Sequence, residues 1–366
     1  MSVRLVLVST MVFPAKAMAG INAAIKRAAP GDTILIHSGV YREALKVHAT
    51  GSPGKVLTIA GAPGAEVIID GDGSLLRGVE IRGREFVKID NLNFIRLAGS
   101  GAVSDAGSVV VRDSSDICIS RIFHDNRSGS SQRSFVGSNT KNMLIENCVA
   151  ITPFGGYEFY KCPDLEIRHS VFFRGKTING RIMTSMTAPA KVHHCIFVGQ
   201  EIQKVKNPTF GASEIAAFTE HDNGFFVRVP RAEKPIIGFN SLNGKILPKN
   251  DGGDILNKEW VRQGRFYNQI LTYDLFCKEL NRKATALFSD PQMKALPFYH
   301  KFESLQQWYD QFVLGKGGKE VKNKFRTARQ KELRQDEKLR ITDFIATAPE
   351  YRKRNIGLDP AAFDKR

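Results

Sequence analysis

One short phrase recurs five times in the first two hundred residues and narrows what the chain can fold into. It runs apolar, any residue, apolar, two polar positions, then an apolar or aromatic close. It reads VKIDNLNF from Val87, ICISRIF from Ile117, MLIENC from Met143, LEIRHSVF from Leu165 and AKVHHCIF from Ala190. The starts lie 30, 26, 22 and 25 residues apart. A repeat of that length is the mark of a solenoid, and the alternation inside each copy is a strand signal. Short strands on this period predict the coils of a parallel β-helix, whose long flat faces suit a long polymer.

The flanks fit the same architecture. Ile21, Ala24, Ile25 and Ala28 form a helical stripe ended by Pro30-Gly31-Asp32. Strand-like runs follow at Thr33–Ile36, Val56–Ile59 and Val67–Ile69, separated by Gly/Pro turns. An end coil has an uncovered core and unpaired edges, so a short amphipathic helix there is expected to act as a lid. The segments INAAIKRAAPGDTILIHSGVYRE and GSPGKVLTIAGAPGAEVIIDG together look like the opening of right-handed parallel β-helix proteins of the pectin-lyase-like superfamily. The resemblance is strong over 21–71, and the repeats extend it to about residue 200. It implies an all-β, right-handed parallel β-helix with an N-terminal capping helix and a helical C-terminal extension. Fold alone does not choose among the lyases, hydrolases, esterases and epimerases of such a superfamily.

The expected layout is a signal peptide over 1–19, the β-helix over 20–240 and a basic, partly helical extension over 241–366 packed on the solenoid. The signal reading rests on Arg4, the apolar run Leu5–Phe13 and Ala17-Met18-Ala19, and implies a secreted or periplasmic protein. Its alternative is a first strand over Val3–Val8. Past residue 200, Glu214–Phe218, Gly224–Val229 and Ile236–Phe239 still read as strands, and helices are expected at Tyr273–Lys283, Ser304–Val313 and Lys319–Arg340. TYDLFCKELNRKATALFSDP and, downstream, DFIATAPEYRKRNIGLDPAAF resemble the tail of bacterial secreted β-helix proteins. That tail wraps back along the solenoid.

The formal charge is +16, from 53 Lys and Arg against 37 Asp and Glu. Such an excess favours a polyanionic partner. An acidic polysaccharide fits the fold. A nucleic acid is unlikely, because no recognised binding motif is present. No run is long enough for a membrane span. The five cysteines include no CxxC pair, which argues against zinc. Cys148 and Cys195 share a repeat position and read as core thiols.

A strand precedes each repeat, and alternation sorts its residues. Val79, Ile81, Val109, Val111, Tyr157, Phe159, Ile182 and Thr184 are expected inside. Glu80, Arg82, Val110, Arg112, Val136, Ser138, Glu158, Tyr160, Met183 and Ser185 are expected on one exposed outer face. Arg82, Arg112 and Tyr160 there suit carboxylates and sugar rings. His124, opening the His-Asp-Asn-Arg loop before the Ser/Gly-rich Ser128–Ser131, is a further candidate substrate contact. Resemblance to polysaccharide lyases of the chondroitinase B and alginate lyase kind implies Lys161 as base, Arg181 as acid, and calcium held by Glu158 and Asn147. The matching stretch GGYEFYKC departs from that family by having a single Glu. Lyase-type β-elimination on a uronate glycan is the first reading, and glycoside hydrolysis the second. A non-catalytic carbohydrate-binding or surface-structural solenoid is the rival. Asp113 and Asp116, and the recurrent His169, His193 and His194, read as turn positions.

Overall fold

In the computed structural model the described residues are 10–13, 20–99, 106–126, 133–152, 156–174, 180–183, 190–198, 202–204, 218–226, 239–240, 267–268, 287, 291–295 and 338–364. The helices expected over 273–283 and 304–313, nearly all of 319–340, the loop 128–131 and the strand over 3–8 fall outside them.

Each coil contributes three strands in a fixed order, as in Arg77–Arg82, Glu85–Asp90 and Asn93–Ile95. Stacked coils build three parallel sheets of seven, nine and eight strands, here called the first, second and third sheet in that order. The fold is an all-β parallel solenoid. Thr10–Phe13 adds parallel to Thr33–Ile36 at one edge of the second sheet.

Register confirms the alternation. Val79 pairs with Val109 and Ile81 with Val111; all four are fully buried. The second sheet stacks Ile59, Ile89, Ile119, Ile145, Ile167 and Val192. Each such side chain contributes about 1.5–3 kcal/mol relative to exposure. Where a large ring enters, its neighbour is small: a Cβ on Gly137 would meet Phe159 Cδ1 at 2.6 Å, and one on Gly78 would meet Phe94 Cδ1 at 2.3 Å. The helix Ile21–Arg27 closes one end with Ile21, Ala24 and Ile25. Glu43 holds it there: Oε1 accepts from the Ile21 N–H at 3.1 Å and Oε2 from Asn22 Nδ2 at 2.7 Å.

The sharp corner between the second and third sheets is made by one left-handed residue per coil. Asn91, Arg121, Asn147, His169, His194 and Asp222 all have φ between 46° and 53°. Such a bend leaves the next N–H without a strand partner, and a buried N–H must be satisfied. A side chain one coil on supplies the acceptor. Ile122 N–H donates to Cys148 Sγ at 3.4 Å, Cys148 N–H to Ser170 Oγ at 3.1 Å, and Cys195 N–H to Asn223 Oδ1 at 2.9 Å. The recurrent Cys148 and Cys195 are thus buried, unpaired corner thiols. Burial pushes the Cys195 thiol up to about 12.

The C-terminal residues 338–364 lie along the solenoid as a strap. Leu339, Ile341, Phe344, Tyr351, Ile356 and Leu358 cover Phe123, Val149, Val171 and Ile196 on the outside of the third sheet. The strap starts near the N-terminal coils, where Lys338 pairs with Glu66 at 2.6 Å, and reaches Asp222 through Arg354. It then turns back. Gly357 marks a close approach, with φ +96° and Ile196 Cδ1 2.6 Å from where a Cβ would sit.

Two outcomes follow for the corner and the strap. Asn223→Ala removes the acceptor for Cys195 N–H and should cost about 1–3 kcal/mol in urea unfolding; an unchanged midpoint would count against the ladder. Gly357→Ala should lower the melting temperature through both backbone strain and overlap, and a wild-type melt would contradict the described approach.

Candidate functional site

The candidate site is the outer side of the first sheet. Its register columns carry the expected residues. One column runs Lys46, Glu80, Val110, Val136, Glu158, Arg181, and the next Arg82, Arg112, Ser138, Tyr160, Met183. Neighbours within a column are about 4.8 Å apart. The face is less open than alternation predicts. Val110 and Val136 are 1% and 3% exposed, and Glu158 is 8% exposed. Their column is a covered floor, and polar groups surround it.

Three arginines gather at one end. Arg77 pairs with Glu80 at 3.2 Å and Arg82 with Asp113 at 3.7 Å. Arg112 lies close enough to both guanidiniums that, after burial, Arg77 and Arg82 depress its pKa, with Glu80 and Asp113 acting the other way. A site that disfavours its own cation is one that gains from an added anion. Sequence alternation missed Arg77. The strand begins with Gly78 turned inward against Phe94, so positions 77 and 80 share a side out of phase. Arg133 was also missed; it is paired with Glu158.

At the other end Lys161 occupies a left-handed corner, φ 50°, with Nζ 5.3 Å from the Tyr160 ring centroid. Arg181 is the register partner of Glu158 on the next coil. Lys161 and Arg181 are therefore one coil apart and offset by three residues, which places their Cα atoms about 11 Å from each other.

Two expected residues lie elsewhere. His124 belongs to the inner column of the third sheet between Phe94 and Ala150. It is 0% exposed, with Nδ1 2.6 Å from Ser134 Oγ. It is a core histidine rather than a contact for an external substrate. The three-residue strand Phe123–Asp125 gave alternation too little length to show this. Asn147 is a second-to-third-sheet corner residue, and its Oδ1 accepts the Asp359 N–H at 2.9 Å. Glu158 lies on the first sheet, paired with Arg133. The two proposed calcium ligands are thus on different sides of the coil and already engaged, so they do not fit a shared ion. Among the described residues no group of three or more His, Cys, Asp or Glu is arranged to hold a metal.

Asp113 and Asp116 accept from Asn139 and Asn142 one coil on, at 3.1 and 2.6 Å, consistent with turn roles. The second sheet carries a charged ladder the sequence did not announce. Asp90 pairs with Arg121, Glu146 with Arg168 at 2.7 Å, and Glu166 with both Arg168 at 3.1 Å and His193 at 3.2 Å. These charges are mutually paired.

No known family profile and no curated protein matches the sequence. Solved structures give distant likenesses. A rhamnogalacturonan lyase aligns at 10% identity and TM-score 0.35, covering 60% of this chain and 72% of that one. A pectin methylesterase variant in complex with a hexasaccharide aligns at 13% identity and TM-score 0.27, covering 61% and 72%. A second pectin methylesterase complex gives 13% identity and TM-score 0.26. At these scores the likenesses carry no argument. The fold rests on the strand registers themselves. No helix among the described residues is long and apolar enough to cross a membrane.

Burial pushes the His124 pKa down to about 3, below the ordinary histidine value of about 6.5. Its contribution to stability is therefore full above that ordinary value and lost as pH falls towards the folded one. His124→Leu should flatten the acid limb of stability against pH in urea melts. An identical limb in the variant would place the cause elsewhere.

Proposed function

We propose that the outer side of the first sheet binds an acidic polysaccharide and that the protein processes it. The observation that carries this reading is the Arg77, Arg82 and Arg112 cluster, continued along the same sheet by Tyr160 and Lys161. Guanidinium groups match carboxylates in a planar fork, and an aromatic ring stacks on a sugar face. A repeat of about 4.8 Å between coils offers a polymer a regular series of contacts.

The chemistry proposed is β-elimination on a uronate unit, without calcium at Glu158 and Asn147. An arginine neutralises the uronate carboxylate and so acidifies the C5 proton. Lys161, as the free amine, takes that proton. The C4–O bond breaks as the C4–C5 double bond forms, and Arg181 stabilises the departing oxygen, which takes a proton from water to become a hydroxyl. The step requires a deprotonated amine within reach of the C5 proton. Two long side chains with Cα atoms about 11 Å apart leave room for a sugar ring between them. Export to an extracellular compartment, where such glycans occur, belongs to the same proposal.

Incubation with a panel of uronate-containing and sulfated polysaccharides tests both parts. Cleavage should appear as ultraviolet absorbance of an unsaturated uronate and be abolished in Lys161→Ala. Binding to the preferred glycan should weaken about tenfold in Arg112→Ala and fall with added salt. Binding without cleavage would select the non-catalytic reading. No binding to any acidic glycan would overturn the proposal.

A further inference from the structure

The strap meets the solenoid along one line, the left-handed corners between the second and third sheets. Arg121 Nη1 donates to the Ala362 carbonyl at 3.4 Å. Asn147 Oδ1 accepts the Asp359 N–H at 2.9 Å. The His169 ring meets the backbone of Gly357 and Asn355. The His194 carbonyl accepts the Gly357 N–H at 2.8 Å. Asp222 pairs with Arg354. Five successive corners thus hold the strap, and two of them are histidines.

These two histidines form a cluster with His193. Ring centroids of His169 and His194 are 5.0 Å apart, as are those of His193 and His194. His193 Nδ1 lies 2.8 Å from His194 Nδ1, and His193 Nε2 lies 3.2 Å from Glu166 Oε1. Neutral rings complete this chain: His194 Nδ1–H donates to His193 Nδ1, and His193 Nε2–H donates to Glu166. A proton added at His193 Nδ1 sets two N–H groups face to face at 2.8 Å. His169 Nδ1 is buried without a hydrogen-bond partner.

The carboxylates nearest the rings are Glu166 beside His193 and Asp359 beside His169. Arg168 already engages both Glu146 and Glu166. Lys191 is the register partner of Glu166, and His221 that of His193. On the strap side the facing groups are Asp359 and the Arg354–Asp222 pair. Burial, with Arg168 acting alongside, holds His169 below the ordinary histidine range, while Asp359 and the strap backbone act in the opposite direction.

We propose that the His169–His193–His194 cluster is a pH-sensitive latch for the C-terminal strap, closed with neutral rings and opened by their protonation. The sign follows from the lowered His169 value. Strap docking is at full strength above the ordinary histidine value of about 6.5 and is lost as pH falls below it. Opening uncovers Phe123, Val149, Val171 and Ile196, an apolar strip on the third sheet.

Hydrogen exchange on the full chain tests this, with rates corrected for the intrinsic effect of pH. Strap amides over 341–363 are compared with those of the core strands Val87–Asp90 and Ile117–Ser120 in the same sample. Between mildly alkaline and mildly acidic buffer, strap protection should drop tenfold or more while the core strands keep theirs. The variant His169→Asn with His194→Asn keeps the corner, since Asn91 and Asn147 already serve at equivalent positions, and should show pH-independent strap protection. Each single variant should give an intermediate loss, which keeps the test decisive if the double variant does not fold. Wild-type protection that does not change with pH, or variants with the wild-type pH dependence, would overturn the latch.

Discussion

Everything in this molecule depends on the left-handed corner between the second and third sheets. A parallel solenoid turns sharply three times per coil, and each turn interrupts a backbone ladder. At this corner the residue in the left-handed region keeps its own bond: Asn91 N–H reaches the Ser120 carbonyl and Arg121 N–H the Glu146 carbonyl, each at 3.1 Å. The N–H that follows is satisfied only because the next coil presents sulfur or oxygen at the same place. Coil spacing, core packing and the attachment of the strap all inherit from that arrangement.

The corner also explains why the three sides of the solenoid differ. The third sheet is sealed by the strap, whose apolar residues rest on Phe123 through Ile196. The second sheet neutralises itself through the Glu146–Arg168–Glu166 ladder. The first sheet gathers Arg77, Arg82 and Arg112, where burial and then the two neighbouring guanidiniums lower the pKa of Arg112. The proposed glycan would therefore meet its complement on the first sheet. The general basicity of the chain favours such a partner.

Much of this was legible in the sequence, for physical reasons. A two-residue period and a coil-length repeat determine which side chains enter the core, so Val79, Ile81, Val109, Val111, Tyr157 and Phe159 were read correctly. The capping helix was legible because its stripe precedes the first strand, although Glu43 as its anchor was not. Alternation says which side a residue takes and nothing about what covers that side. Hence Val110, Val136 and Glu158 were expected in the open and are buried. Short strands and corners defeat the two-residue period, which is how His124 came to be expected outside. Asn147 fails for a different reason. Its partner, Asp359, is 212 residues away in sequence, and no local pattern announces a contact of that range.

The position of a bound acidic glycan decides which face of the solenoid binds it. A crystal structure with a bound uronate oligosaccharide measures it. The ligand should lie on the outer side of the first sheet, with a carboxylate at Arg112 or Arg82 and a sugar ring against Tyr160. A glycan bound instead on the second-sheet ladder or on the strap, with the first sheet bare, would contradict the account.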